Sequence, residues 1–272
     1  MAPPHLFSNQ REVTSMSVNV DPIVQLQNVS KSFGRVFALE GINLDFYPGE
    51  IVSLVGDNGA GKTTLTRIIS GNESPDSGGK IKIDKEVVKN WSSAKARSRG
   101  IETVHQNRAL SEAQTIYDNV FLGRELTNKL GFIKRKQEIE ETEKLMRKIG
   151  YTSKVWTPNS TVNKLSGGER QGVAISRAIL FQSRLVILDE PTTAMALSEA
   201  AEVMQFIQNL KADGKSVIFI SHNPWDAFSA ADRFVILDRG QIVFDGPKGD
   251  MTVEDFIARL HGFAKDGRGS IA

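Results

Sequence analysis

Residues 56–63 read Gly56-Asp57-Asn58-Gly59-Ala60-Gly61-Lys62-Thr63, which satisfies the pattern G-x-x-x-x-G-K-[ST]. A short apolar run without helical period, residues 51–55, comes before it, and Leu65, Ile68 and Ile69 follow at helical spacing. Strand, glycine loop and helix in that order leave few folds open. Glycines let the backbone curl until its N–H groups converge on an anion, and the helix start adds a partial positive charge. Lys62 would neutralise the β- and γ-phosphates of a nucleotide, the Thr63 hydroxyl would coordinate Mg²⁺, and Thr64 would support the phosphates beside it. Packing alone gives no reason for a lysine here, so the loop predicts a nucleoside triphosphate site.

A second element lies at the end of another apolar run. Residues 185–188 are followed by Asp189 and Glu190, at the strand edge where an open α/β sheet places its ligands. Neighbouring side chains on an extended chain point opposite ways. Asp189 is therefore expected to hold Mg²⁺ through water, and Glu190 to orient or deprotonate an attacking water. A solvated strand end is the plain alternative. The helical stripe Val203, Met204, Phe206, Ile207 and Leu210 within 198–213, then the apolar run 217–220, continue the alternation of strand and helix. Gly214 suits the intervening helix C-terminus. Such alternation predicts an α/β fold with parallel strands covered by helices. Residues 23–29 read as a further strand, and 234–237 and 241–244 flank Asp238-Arg239-Gly240 as a hairpin. Strand signals vanish between 107 and 164, where helix formers dominate, which predicts a helical insertion. Residues 1–21 are expected to form a flexible leader and 262–272 a disordered tail.

Leu165-Ser166-Gly167-Gly168-Glu169-Arg170-Gln171 opens an apolar helical stretch over 170–181. Ser166 suits an N-cap, and the start of the helix is open to an anion. A bare cap explains Ser166 equally well when this segment is taken alone. With the phosphate loop and Asp189-Glu190, in this order and spacing, it resembles the signature of the ABC transporter ATPases, commonly LSGGQ. The resemblance covers about residues 23–244. It implies a P-loop NTPase of ABC type over 22–261: a RecA-like core, an N-terminal antiparallel β subdomain, and a helical subdomain at about 107–182. It further implies ATP and Mg²⁺ bound between two cassettes facing head to tail. Gly56, Asp57, Asn58, Gly59, Ala60, Gly61, Lys62, Thr63 and Thr64 of one would hold the nucleotide, while Ser166, Gly167 and Gly168 of the other close on its γ-phosphate. Phe33 resembles the aromatic residue that stacks on adenine, with core packing as its alternative. Gln106 resembles the glutamine that touches Mg²⁺ and water, and His222 the switch histidine that contacts the γ-phosphate.

Two positions depart from the family pattern. Glu169 stands where glutamine is usual, adding a negative charge near a phosphate site, and Thr193-Ala194-Met195-Ala196 carries no aspartate, which puts communication between paired sites in doubt. Gly56-Asp57-Asn58-Gly59, Gly100-Ile101-Glu102-Thr103-Val104 and Phe121-Leu122-Gly123-Arg124-Glu125 are similar to the bacterial monosaccharide importers of the ribose and fructose type. One phosphate loop and one signature imply a homodimer. Its partners would be transmembrane permease subunits and, indirectly, a solute-binding protein, with residues 109–117 as the groove for a coupling helix.

No apolar run approaches the roughly 20 residues that span a bilayer, so the chain is expected at the cytoplasmic face of the membrane as a peripheral subunit. A formal net charge of +2, with cations spread along the chain, argues against a nucleic-acid partner. The absence of cysteine excludes disulfides and thiolate metal sites. A P-loop kinase or GTPase would have no need of residues 165–171 before the carboxylate strand. An ABC ATPase for another solute, or a regulatory or non-transport ABC ATPase, is the alternative.

Overall fold

Three strands with almost no polar residue can be stable only if both faces are covered. In the computed structural model, which describes residues 20–104, 110–148, 156–180 and 183–266, those strands are β3 (Ile51–Val55), β7 (Leu185–Asp189) and β8 (Ser216–Ile220). With β6 (Ile101–Val104), β9 (Arg233–Asp238) and β10 (Gln241–Pro247) they form a six-stranded sheet, order β10-β9-β3-β8-β7-β6. All neighbours in it are parallel except the terminal β9–β10 pair.

Alternate residues of each strand feed opposite cores, as a period of two requires. Val52, Leu54, Ile187, Ile218 and Ile220 pack towards α1 (Lys62–Ile69), through its Leu65, Ile68 and Ile69. Ile51, Val186, Leu188, Val217 and Phe219 pack the other way, against α5 (Gly167–Leu180) and α6 (Leu197–Ala212).

Helix α1 is enclosed on its far side by a second, antiparallel sheet of order β2-β1-β4-β5, made of β1 (Val24–Phe33), β2 (Val36–Phe46), β4 (Lys80–Ile83) and β5 (Glu86–Val87). The short helix α2 (Ser93–Ser98) leads from that sheet into β6. Between β6 and β7 the described residues are helical, as the lost strand signal implies: α3 (Ile116–Phe121), α4 (Arg135–Lys148) and α5. Asn119, fully buried, ties this region together: its Oδ1 accepts the Ser111 N–H at 2.7 Å, and its Nδ2 donates to the carbonyls of Ser111 and Thr115 at 3.0 and 2.9 Å.

The predicted hairpin forms, with a register shift between Ile242 and Phe244. The first predicted strand runs past residue 29 to Phe33, turns at Gly34-Arg35 and pairs with β2, a strand the sequence reading did not assign. A correction applies at the C-terminus. Residues 262–266 were expected to be disordered, yet α8 (Val253–Asp266) includes them. Thr252 caps this helix by exchanging hydrogen bonds with Asp255, and Phe256 is buried against Phe228 and Phe234, which anchors the first turn firmly enough for a polar sequence to continue it. α7 (Pro224–Ala230) lies beneath it in the same cluster. The expected leader up to residue 19, and residues 267–272, lie outside the described residues.

Candidate active site

The phosphate loop, the carboxylate pair and His222 follow β3, β7 and β8, which are adjacent parallel strands, so one sheet edge carries all three. The loop is held open by close backbone packing. A Cβ on Gly56 would stand 2.2 Å from the Leu237 carbonyl oxygen, and one on Gly61 would stand 2.4 Å from that of Ala38. Gly61 also takes a left-handed φ of 104°, which frees α1 to begin at Lys62. The turn after β9 seals the loop: the Gly240 N–H donates to Ala60 O at 3.0 Å, while the Gly240 carbonyl accepts the Glu40 N–H at 2.9 Å.

Lys62 is only 7% exposed and its ammonium donates to the carbonyls of Gly56 and Asp57, at 2.6 and 2.9 Å. Burial lowers its pKa, opposed by the negative charges of Glu190, Asp57 and Asp189. Those three carboxylates keep the buried ammonium charged, so that it can donate to the oxygens of an anion.

Asp189 ends β7 and lines a cavity of about 250 Å³ with Thr63, Thr66, Arg67, Ser70, Asn72 and Thr103. Glu190 does not simply alternate with it. Its backbone leaves the strand at a left-handed φ of 50°, a conformation that costs a non-glycine residue about 1 kcal/mol or more. That turn brings its Oε2 within 3.0 Å of the Thr193 hydroxyl, which donates to it, and 3.4 Å of His222 Nδ1. His222 itself is largely exposed. Gln106 lies outside the described residues, as does His105. The groove expected over 109–117 is described only from residue 110.

Phe33 is 49% exposed, which removes core packing as its explanation, and the Lys31 ammonium sits 5.2 Å from its ring centre. At the signature, Ser166 and Glu169 form a reciprocal cap: the Glu169 N–H donates to Ser166 Oγ at 3.1 Å, and the Ser166 N–H to Glu169 Oε2 at 2.8 Å. The Trp156 indole donates to the other Glu169 oxygen at 2.7 Å. The capping reading of Ser166 is therefore realised, and the glutamate that departs from the family pattern completes that cap. The N–H of Gly167 donates to Glu199 Oε1 at 2.7 Å.

Two residues had escaped sequence reasoning. Glu199 lies 32 positions from its partner Gly167, beyond any local pattern. Thr103 Oγ1 is buried, lines the cavity beside Thr63 and Asp189, and finds no hydrogen-bond partner among the described residues. Its signal was weak, because half of β6, Ile101-Glu102-Thr103-Val104, is polar.

Residues 39–193 match the family described as ABC transporter. The chain belongs to that family. This ABC transporter chain is 42% identical to the xylose/arabinose import ATP-binding protein of Sulfolobus acidocaldarius, across 89% of its own length and 95% of the relative's. It is 39% identical to the fructose import ATP-binding protein of Rhizobium meliloti, across 93% and 98%. The ribose import ATP-binding protein of a Jannaschia species is 33% identical across 90% of this chain but only 47% of its own, so here the ABC chain spans about half the relative. Among solved structures, a nucleotide-free ATP-binding cassette superposes with a TM-score of 0.76 at 24% identity, covering 93% of this chain and all of the other. A dimeric cassette in a post-hydrolysis state bound to ADP and phosphate gives 0.69 at 27% identity, covering 83% and 98%. The fold is the ABC-type P-loop ATPase.

Proposed function

We propose that this chain binds and hydrolyses ATP to energise an ABC importer for a monosaccharide, working as a homodimer against transmembrane permease subunits. The observation that carries the ATPase reading is the convergence of Lys62, Thr63, Asp189, Glu190 and His222 on the ends of three adjacent parallel strands. The sugar reading is supported by the names of the xylose/arabinose, fructose and ribose import relatives.

Residues 56–64 would cradle the triphosphate through backbone N–H groups, with Lys62 turning from its two carbonyl partners to the β- and γ-phosphates. Phe33, exposed at the tip of the β1–β2 hairpin, would offer its ring to adenine. Mg²⁺ would offset charge on the terminal phosphates. Thr63 and Asp189 fit as its protein ligands: they share one cavity, and the unpaired Thr103 hydroxyl there suits a hydrated ion. Gln106, outside the described residues, would join the same shell on its resemblance to the family's glutamine.

Glu190 would take a proton from the water that attacks the γ-phosphorus, and His222, beside it, would hold that water in line. Products are ADP and phosphate. Ser166, Gly167 and Gly168 would meet the γ-phosphate of the facing copy, so that ATP joins the two copies and hydrolysis releases them. No helix among the described residues is long and apolar enough to cross a membrane. The import ATP-binding relatives support a place at the cytoplasmic face, held there by the permease.

The test combines two assays on wild type and Glu190→Gln. The purified chain should hydrolyse ATP only with Mg²⁺, and the variant should bind ATP but lose turnover. Cells carrying the variant in place of wild type should lose uptake of one sugar from a labelled panel of pentoses and hexoses. Hydrolysis without any change in sugar uptake would sink the cargo assignment, and an unaffected ATPase in the variant would sink the catalytic one.

A further inference from the structure

Between α3 and α4 the chain makes a short turn that is rigidly built yet holds apolar side chains out into solvent. Thr127 and Ile133 pair as an antiparallel bridge, and the Asn128 N–H donates to Phe132 O at 2.9 Å. Asn128 Oδ1 accepts the N–H groups of Leu130 and Phe132 at 2.9 and 3.0 Å. The base is fixed as well: the Lys134 N–H donates to Leu126 O at 2.7 Å, and the Leu126 N–H to the buried Glu138 carboxylate at 2.8 Å. Despite this framework Leu130 is 82% exposed, Phe132 69% and Ile133 49%. Three large apolar residues within four positions form a patch of the kind that marks an interaction site.

The residues immediately beside the patch are basic, with exposed Glu125 and Glu140 flanking them on either side. Residues 126–137 contain Lys129, Lys134, Arg135 and Lys136, all exposed, and no acid, a formal charge of +4. We infer that this tip is a contact for an anionic lipid surface, with Leu130, Phe132 and Ile133 entering the headgroup layer and the four cations lying over lipid phosphates. Apolar side chains ringed by lysine and arginine match the two-part chemistry of interfacial binding. The permease is the poorer occupant on charge. Cytoplasmic loops of membrane proteins carry an excess of Lys and Arg, which would repel a basic tip, whereas the cytoplasmic leaflet is negative. The inference rests on the proposed place at the cytoplasmic face but not on the catalytic roles, which its test leaves untouched.

The experiment is co-sedimentation of the full chain with vesicles of phosphatidylcholine alone or mixed with phosphatidylglycerol, at low and high salt. Wild type should favour the anionic vesicles and lose most of that preference in high salt. The double variant Lys134→Gln/Lys136→Gln should bind them about thirtyfold more weakly, the factor that two surface charges supply at anionic lipid. Phe132→Ser should weaken binding about tenfold at either salt, since it removes burial of one large side chain. ATP hydrolysis should stay at the wild-type rate in both, which excludes misfolding and keeps this test separate from the catalytic one. Equal binding to both vesicle types, or binding unchanged by both variants, would overturn the inference. So would retention of the tip's binding only by detergent-solubilised membrane protein, which would assign it to a protein partner.

Discussion

Glu199 Oε1 accepts the backbone N–H of Gly167 at 2.7 Å while its other oxygen accepts that of Ala196 at 3.3 Å, so one side chain joins the start of α5 to the start of α6. α5 begins inside the signature, and α6 follows the carboxylate strand. Ala196 is the position where the family commonly carries aspartate, and here its N–H is held by a neighbour instead. Glu199→Ala should lower kcat about tenfold, the weight of one charge-assisted hydrogen bond, with ATP affinity changed less than about twofold because Lys62 is untouched. Glu199→Gln, which keeps an acceptor, should fall between. Steady-state ATPase kinetics beside equilibrium nucleotide binding would check the split, and an equal loss in affinity would count against it.

Gly59 and Gly61 separate backbone strain from steric exclusion. Both have left-handed φ, 83° and 104°, but a Cβ on Gly59 meets nothing within 4 Å, whereas one on Gly61 meets Ala38 O at 2.4 Å and Leu39 Cδ2 at 2.8 Å. Gly59→Ala should cost about 1 kcal/mol and Gly61→Ala at least about 2 kcal/mol more. Denaturant unfolding of the two variants reads the difference directly.

Arg233 gathers three chain segments. It pairs with both oxygens of Asp245 at 2.6 and 2.8 Å, with the Asp45 carbonyl at 2.9 Å, and with Glu50 at 3.1 Å. Burial raises the Glu50 pKa even with Arg233 opposing it. Removing the arginine leaves that carboxylate half-buried without its counter-ion, so Arg233→Ala should destabilise by about 3 kcal/mol. Arg233→Lys should recover only part of this, since an ammonium cannot reproduce the planar fork. Unfolding midpoints of both variants would show it.

Glu202 provides a pH test. Its pKa is raised from 4.5, first by burial and then by the charges of Glu169 and Glu199. A carboxyl raised in the folded state binds more protons folded than unfolded, so its contribution is fully present below the unfolded value of 4.5 and is lost as pH climbs through the raised value. Glu202→Gln removes that loss. It should melt above wild type at neutral pH and level with it below pH 4.5, as thermal denaturation across that range would record.

The parts of this fold that were legible are those with a local physical signature. Strands β3, β7 and β8 are buried on both faces, so their apolar runs announce them, and a glycine loop that must curve around phosphate cannot disguise its composition. β2 was missed because Val36 and Phe37 are exposed at its start and Gly41, with φ 61°, interrupts its alternation. Glu169 has a second role that the family comparison hides. A departure near a phosphate site, it is also the fourth residue of a Ser-x-x-Glu cap, a local pattern present in the sequence. The position of Glu190 rests on a left-handed residue, and the pairing of Glu199 with Gly167 on a long-range contact. Neither leaves a trace in spacing or polarity.

The seal over the phosphate loop has a consequence for synthesis. Gly56 and Ala60 rest against Leu237 and Gly240, so the cradle is walled by residues translated nearly 180 positions after it. Contacts this distant in sequence form late. A ribosome-bound fragment that has extruded only its phosphate loop still lacks the backbone of Leu237 and Gly240 that packs against it. The phosphate loop therefore takes its final packing only once the chain has been made through its last strands.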